Sequence, residues 1–179
     1  KRLLAVRSLR EERSEQASDA VVLKVDGVTA RYPNADQDVL EGVSVEVERG
    51  KTVALVGESG SGKSTLARVI TGLLPPEQGQ VSYKGEILSA DLRNRGKEDL
   101  RRIQMIYQMP DVALNPRQRV RDVIGRPLEF YLSMRGKEKA ARVAELLEQI
   151  ELPVDFEERY PAQLSGGEKQ RVCIARSLA

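Results

Sequence analysis

A chain of 179 residues, 40% apolar and 31% charged, holds enough greasy material for one globular domain with at most a small appended unit, and too much for a disordered tail. Its 29 Lys and Arg against 27 Asp and Glu leave +2, so any phosphate it binds is held by local geometry and not by bulk charge of the kind that wraps nucleic acid. One cysteine, Cys173, rules out an internal disulfide, and a histidine count of zero excludes a Cys/His zinc cluster or any imidazole chemistry.

Residues 1–20 are polar with weak periodicity through Arg10-Glu11-Glu12-Arg13-Ser14-Glu15-Gln16, and read as a linker or frayed helix. No signal-peptide pattern opens the chain, and apolar runs such as Val53-Ala54-Leu55-Val56 fall far short of the roughly 18 residues that span a bilayer. The expectation is a soluble protein of the reducing cytosol that needs an integral partner if it works at a membrane. From Val21 short β-rich runs appear: Val21 to Val25, Val28 to Arg31, Val43 to Val47 and Thr52 to Val56. The last is apolar almost throughout, as a strand buried on both faces should be.

Gly57-Glu58-Ser59-Gly60-Ser61-Gly62-Lys63-Ser64-Thr65 follows directly. Then Leu66, Val69, Ile70 and Leu73 fall at i, i+3, i+4 and i+7 of an amphipathic helix that Gly72 and Pro75-Pro76 end. Gly57, Gly62, Lys63 and Ser64 fit G-x-x-x-x-G-K-[ST] in the strand, loop, helix context that the pattern requires. Glycines let the loop curl so that backbone N–H groups point inward, and the helix start adds partial positive charge. Lys63 supplies a mobile cation for the β and γ phosphates, and the Ser64 hydroxyl can ligate Mg²⁺. A glycine-rich turn without function has no need for this register.

A Gly-punctuated β segment from Gly79 to Leu88 and a polar stretch to Arg102 lead to Ile103 to Tyr107, which reads as another buried strand ending at Gln108. Beyond it the pattern is helical. Val120, Val123 and Ile124 begin one helix that Pro127 should interrupt, and Val143, Leu146, Leu147 and Ile150 mark a second ended by Pro153. A third starts at Ser165 and runs to Ala179, where the sequence stops in what reads as mid-helix. Ser165 and Glu168 have the S-x-x-E spacing of a capping box. A cap alone does not account for Gly166 and Gly167 in the first turn, since each glycine costs about 1 kcal/mol of helix stability relative to alanine. Bare backbone at a helix start suits close approach to an anion, most simply a nucleotide held by another copy.

Taken in order, Ser59 to Thr65, Gln108 and Leu164-Ser165-Gly166-Gly167-Glu168 resemble the nucleotide-binding domain of an ATP-binding cassette (ABC) transporter, over about residues 21–179. The resemblance implies an α/β fold: a P-loop NTPase core with an incomplete parallel sheet, an N-terminal antiparallel β subdomain, and an α-helical subdomain at about 109–164. It implies that Gly57 to Thr65 are the Walker A loop, that Gln108 reaches Mg²⁺ and the attacking water, and that Ser165 to Glu168 are the signature motif. Glu168 stands where the commonest signature has Gln. Tyr32 matches the place where the family stacks an aromatic ring on adenine. Two such domains would sandwich two Mg-ATP, each between one copy's Gly57 to Thr65 loop and the other's Ser165 to Glu168 helix start. The implied partners are a second ATP-binding domain, integral permeases and, indirectly, a solute-binding protein, with no nucleic acid; the implied place is peripheral, on the cytoplasmic face of the plasma membrane.

Tyr107-Gln108-Met109-Pro110-Asp111, Ala113-Leu114-Asn115-Pro116-Arg117 and Arg159-Tyr160-Pro161 resemble the importer branch for oligopeptides, dipeptides, nickel and glutathione. Lys1-Arg2-Leu3-Leu4-Ala5-Val6 resembles the tail of such a domain, which suggests the second half of a two-cassette polypeptide. In the family, a strand ending in Asp-Glu (Walker B) follows the signature helix, and a histidine switch lies further on; this sequence contains neither. The 179-residue chain is therefore expected to bind nucleotide and, lacking the general base, to be inactive as a hydrolase by itself. The rival readings are a non-transport ABC ATPase acting on ribosomes or DNA, which usually carries long coiled coils or basic linkers, and another P-loop NTPase, which leaves Leu164 to Glu168 unexplained.

Overall fold

Alternating β-branched residues from Val21 onward build an antiparallel sheet in the computed structural model, which describes residues 5–9 and 21–179. Strand β1 (Ala5–Leu9) precedes β2 (Val21–Ala30), β3 (Leu40–Glu48), β4 (Thr52–Val56), β5 (Gln78–Tyr83) and β6 (Glu86–Ile87). Four of them form one sheet in the order β3-β2-β5-β6. Its register pairs Val25 with Val45 and with Val81. The two β runs expected around Gly27 are one strand, broken in register between Val25 and Val28. Gly79 has to lack a side chain here: at φ +82° a Cβ would come 2.5 Å from the carbonyl oxygens of Asp26 and Gly27.

The helices are α1 (Lys63–Ile70), α2 (Lys97–Arg102), α3 (Val120–Leu132), α4 (Gly136–Gln149) and α5 (Gly166–Leu178). They fall into two compact units, Lys1–Ile103 and Gln104–Ala179. In the first, Leu66 and Val69 of α1 bury against Val25, Val28, Leu40 and Val81. Each such side chain removed from water contributes about 1.5 to 3 kcal/mol. Arg95 is buried in this unit too. Its Nη1 donates to the Ile70 carbonyl at 2.7 Å and its Nε to that of Ser89 at 2.9 Å, while burial lowers its pKa. A cation therefore stands at the carboxyl end of α1, the end a helix dipole favours for it.

The second unit packs Val123, Ile124 and Leu128 of α3, Val143, Leu146 and Leu147 of α4, and Val172, Cys173 and Ala175 of α5 around Phe156 and Leu164. The helical body thus includes α5, beyond the 109–164 range expected for it. Burial of the Cys173 thiol raises its pKa, so it packs as a small apolar group.

Further sequence expectations differ from the structure. Ala5–Leu9, within the supposed linker or frayed helix, is a strand running antiparallel to β4 with Ala5 opposite Val56 and Leu9 opposite Thr52; the rest of 1–20 lies outside the described residues, including most of the Lys1 to Val6 tail likeness. Strand β4 is half-buried at best, and Val56 is 55% exposed. Every ladder among the described residues is antiparallel, so the parallel part of the core is represented there by β4 without a parallel neighbour. Ile103 to Tyr107 keeps a strand's alternation of half-buried and exposed side chains but joins no ladder. Pro127 does not interrupt α3: the ring removes one backbone donor, and the buried Ile124 and Leu128 on either side hold the helix through it.

Candidate functional site

In the first unit, β4 delivers the chain at Val56 to the loop, and α1 takes it up at Lys63. Between them Ser61 donates its backbone N–H to the Glu58 carbonyl at 3.2 Å, closing a turn. Gly60 and Gly62 adopt φ +81° and +95°. The Lys63 ammonium folds back over this curl and donates to the Gly57 carbonyl at 2.8 Å, the Glu58 carbonyl at 2.7 Å and the Ser61 hydroxyl at 3.3 Å. All three acceptors are neutral. Glu58, Ser59, Gly60 and Ser64 are exposed, whereas Ser61, Gly62 and Thr65 are buried. The first N–H groups of α1 have no acceptor within the helix, by the geometry of any helix start.

Thr65 adds a feature the spacing did not disclose. It is 5% exposed, and its hydroxyl shares a 3.2 Å hydrogen bond with the phenol of Tyr32. Arg68 Nη1 donates to the same phenol oxygen at 3.0 Å. Tyr32 lies beyond the end of β2, in the loop opened by Pro33, and packs half-buried on the cluster around Leu66.

In the second unit Ser165 caps α5 as expected. Its hydroxyl accepts from the Glu168 N–H at 3.4 Å, and its own N–H donates to Glu168 Oε2 at 2.7 Å. Those two bonds, first that from the Ser165 backbone, hold the Glu168 carboxyl below its ordinary pKa; Arg159 and Arg171 add attraction. Gly166 and Gly167 are exposed, and a Cβ built on either meets nothing within 4 Å. Interior burial of these two glycines would have argued against an anion site.

Two basic residues of α5 hold the segment after Gln108. Lys169 Nζ donates to Asp111 Oδ1 at 2.7 Å, and Arg176 Nη1 to the Ala113 carbonyl at 2.6 Å. Gln108 itself is exposed and lies outside any strand. A groove of about 440 Å³ lined by Ala113, Asn115, Arg126, Phe130, Tyr131 and Arg176 opens beside this segment. The Arg159-Tyr160-Pro161 stretch is tied to the start of α3: Val120 donates its N–H to the Arg159 carbonyl at 2.9 Å, and Glu158 pairs with both Arg119 and Arg121. Among the described residues no group of three His, Cys, Asp or Glu side chains could hold a metal by itself, and no helix is long and apolar enough to cross a membrane.

Comparison with known proteins agrees with this geometry. A profile of the ABC transporter family matches residues 40–179. The nickel import ATP-binding protein NikE of Shigella boydii serotype 4 (strain Sb227) is 42% identical over 165 residues, covering 88% of this chain and 62% of the relative. NikE of Shigella sonnei (strain Ss046) is likewise 42% identical over 165 residues. Among solved structures, the dimeric post-hydrolysis state of the ATP-binding cassette MJ0796 with ADP and Pi aligns with a TM-score of 0.73 at 31% identity, over 88% of this chain and 69% of that one. An ATP-binding subunit of an ABC transporter aligns with a TM-score of 0.70 at 30% identity, over 87% of this chain and 60% of that one. The chain spans about 62% of the length of the NikE relatives it matches. With strand, loop and capped helix in the family's order and a family profile over most of its length, the chain belongs to the ABC transporter family as an α/β ATP-binding cassette.

Proposed function

We propose that the chain is the ATP-binding part of an ABC importer subunit, coupling ATP binding and hydrolysis in the assembled transporter to uptake of nickel, a peptide or a similar small solute. The observation that carries this reading is the Lys63 ammonium, gathered over three neutral oxygens at the mouth of the Gly57 to Thr65 loop. A cation that donates to neutral oxygens at a helix start is a site prepared for an anion, and a triphosphate satisfies it better than carbonyls do. Glu58, Ser59, Gly60 and Gly62 supply backbone N–H groups to the same anion, while that of Ser61 closes the turn on the Glu58 carbonyl. Thr65 contributes its N–H, since its hydroxyl is engaged by Tyr32.

The donor set also fits Mg²⁺ in part. Ser64 places one exposed hydroxyl at the first turn of α1, a hard oxygen of the kind Mg²⁺ takes alongside phosphate oxygens and water. Gln108 would add an amide oxygen. When bound, Mg²⁺ neutralises charge on the triphosphate. Tyr32 would offer its ring to adenine. Ser165, Gly166, Gly167 and Glu168 would meet the nucleotide of a second cassette, and permeases would engage the Ala113 to Arg117 segment and the groove beside it, from the cytoplasmic face of the membrane. The nickel import assignment of the NikE relatives and the Asn115-Pro116-Arg117 motif favour import over a ribosome- or DNA-directed ATPase.

The test is Mg-ATP titration of the protein and two variants. Lys63→Ala should lose ATP binding by about 100-fold, the loss of two or three charge-assisted hydrogen bonds. Ser165→Arg should keep binding and lose ATP-dependent dimerisation. Dimerisation that survives Ser165→Arg would refute the contact between copies.

A further inference from the structure

The phenol of Tyr32 does more than end a side chain. Its oxygen is held at two points by the helix that carries the phosphate loop: 3.2 Å from Thr65 Oγ1 and 3.0 Å from Arg68 Nη1, across 33 and 36 residues of sequence. Both partners lie on α1, and Thr65 follows Ser64 directly. The guanidinium carbon of Arg68 is 5.6 Å from the ring centroid. Together with the 3.0 Å contact to the oxygen, that distance puts the guanidinium near the hydroxyl end of the ring and not squarely over its face.

The other end of the side chain is fixed as well. Tyr32 precedes Pro33, which biases its backbone toward the extended region, and its carbonyl accepts the Ala35 N–H at 3.0 Å in a tight turn. A tyrosine held by a backbone turn and by two hydrogen bonds at its oxygen has less χ freedom to lose on binding. A planar partner then meets a ring already in place, and the binding loses less to ordering.

We infer that Arg68 and Thr65 are positioning residues for base recognition: through the Tyr32 hydroxyl they fix the ring as a platform for the purine of the nucleotide, in register with the phosphate loop on the same helix. This rests on the proposed reading of Tyr32 as the base platform. Its chemistry predicts a division of labour. Lys63 and the loop backbone recognise the polyphosphate, which has no base, whereas the Tyr32, Thr65 and Arg68 group recognises only a ligand that carries one.

The experiment compares ATP with inorganic tripolyphosphate as probes, measured by calorimetry on the protein and on Tyr32→Phe, Arg68→Met, the double variant and Tyr32→Ala. Tyr32→Phe keeps the ring and removes only the hydroxyl. It and Arg68→Met should each weaken ATP about three- to five-fold, the size of one net hydrogen bond, and the double variant should lose no more than either single one. Tyr32→Ala should lose about ten-fold or more, as removal of a stacking ring does. Tripolyphosphate affinity should stay unchanged throughout, which also reports that each variant is folded. Equal losses for ATP and tripolyphosphate, or unchanged ATP affinity in both Tyr32→Phe and Arg68→Met, would overturn the positioning role. If Tyr32→Ala weakens ATP while those two variants do not, only the positioning role fails. If Tyr32→Ala has no effect, the base-platform reading fails with it.

Discussion

Leu40 and Gly62 meet where the sheet supports the phosphate loop: a Cβ on Gly62 would lie 2.8 Å from Leu40 Cδ2 and 3.2 Å from the Val39 carbonyl oxygen. Gly62 also sits at φ +95°, where an L side chain is strained. Gly62→Ala therefore combines overlap with a buried leucine and backbone strain, and is expected to destabilise the fold by about 2 to 4 kcal/mol. Gly60→Ala meets nothing within 4 Å and carries the strain of φ +81° alone. It should cost about 1 to 2 kcal/mol. Thermal unfolding of the two variants checks the order; a Gly60 variant less stable than the Gly62 one would contradict it.

The cap on α5 separates a folding role from an assembly role. Ser165→Ala removes the acceptor of the Glu168 N–H and should lower stability by about 1 kcal/mol. Chemical denaturation reads that value directly, and a midpoint equal to that of the unaltered protein would show that the 3.4 Å bond contributes nothing.

Acid should act on the same cap. The carboxyl of Glu168 is held below its ordinary value of 4.5 by hydrogen bonds from Ser165. A group whose pKa is lower in the folded state gives stability that is complete above its unfolded value and is lost as pH falls through the folded one. Asp91 behaves likewise, drawn from 3.8 to about 2 chiefly by the side-chain hydrogen bond from Arg93. Stability should therefore be level near neutrality and decline below the ordinary carboxylate range. Glu168→Gln should flatten the first part of that decline, followed by melting temperature against pH.

Pro127 offers a change in the stabilising direction. A proline inside a helix is about 3 kcal/mol less favourable than alanine in an unstrained reference. The structure has adapted to it, so Pro127→Ala should recover only about 1 kcal/mol, seen as a higher melting temperature. A lower one would mean that the ring's packing outweighs its missing N–H.

What was legible in the sequence was short-range. The Gly57 to Thr65 loop, the first turns of α1 and the Ser165/Glu168 cap are each set by residues within a few positions of one another and stand where spacing put them, although α1 ends at Ile70 and leaves Leu73 outside it and exposed. The misread elements depend on neighbours distant in sequence. The apolar run Thr52 to Val56 announces an environment, not the strand that pairs with it, which proved to be β1. Ile103 to Tyr107 has a strand's alternation without a ladder, because composition cannot supply a hydrogen-bonding partner. Pro127 reads locally as a breaker, whereas Ile124 and Leu128 are buried in a core drawn from three helices. The Tyr32 to Thr65 bond joins a loop to a helix 33 residues later, so no window of sequence contained it.

The open space around Gly166 and Gly167 makes them unusual reporters. In most helices, a defect caused by adding a methyl group confounds misfolding with lost recognition. Among the described residues, nothing beyond the local helix backbone lies within 4 Å of those two Cβ positions, and alanine is the better helix former, so Gly→Ala should leave the isolated molecule as robust as before or more so. Any deficit such a variant shows in a working transporter must then originate outside the chain, in whatever approaches that surface. Two methyl groups become a census of visitors.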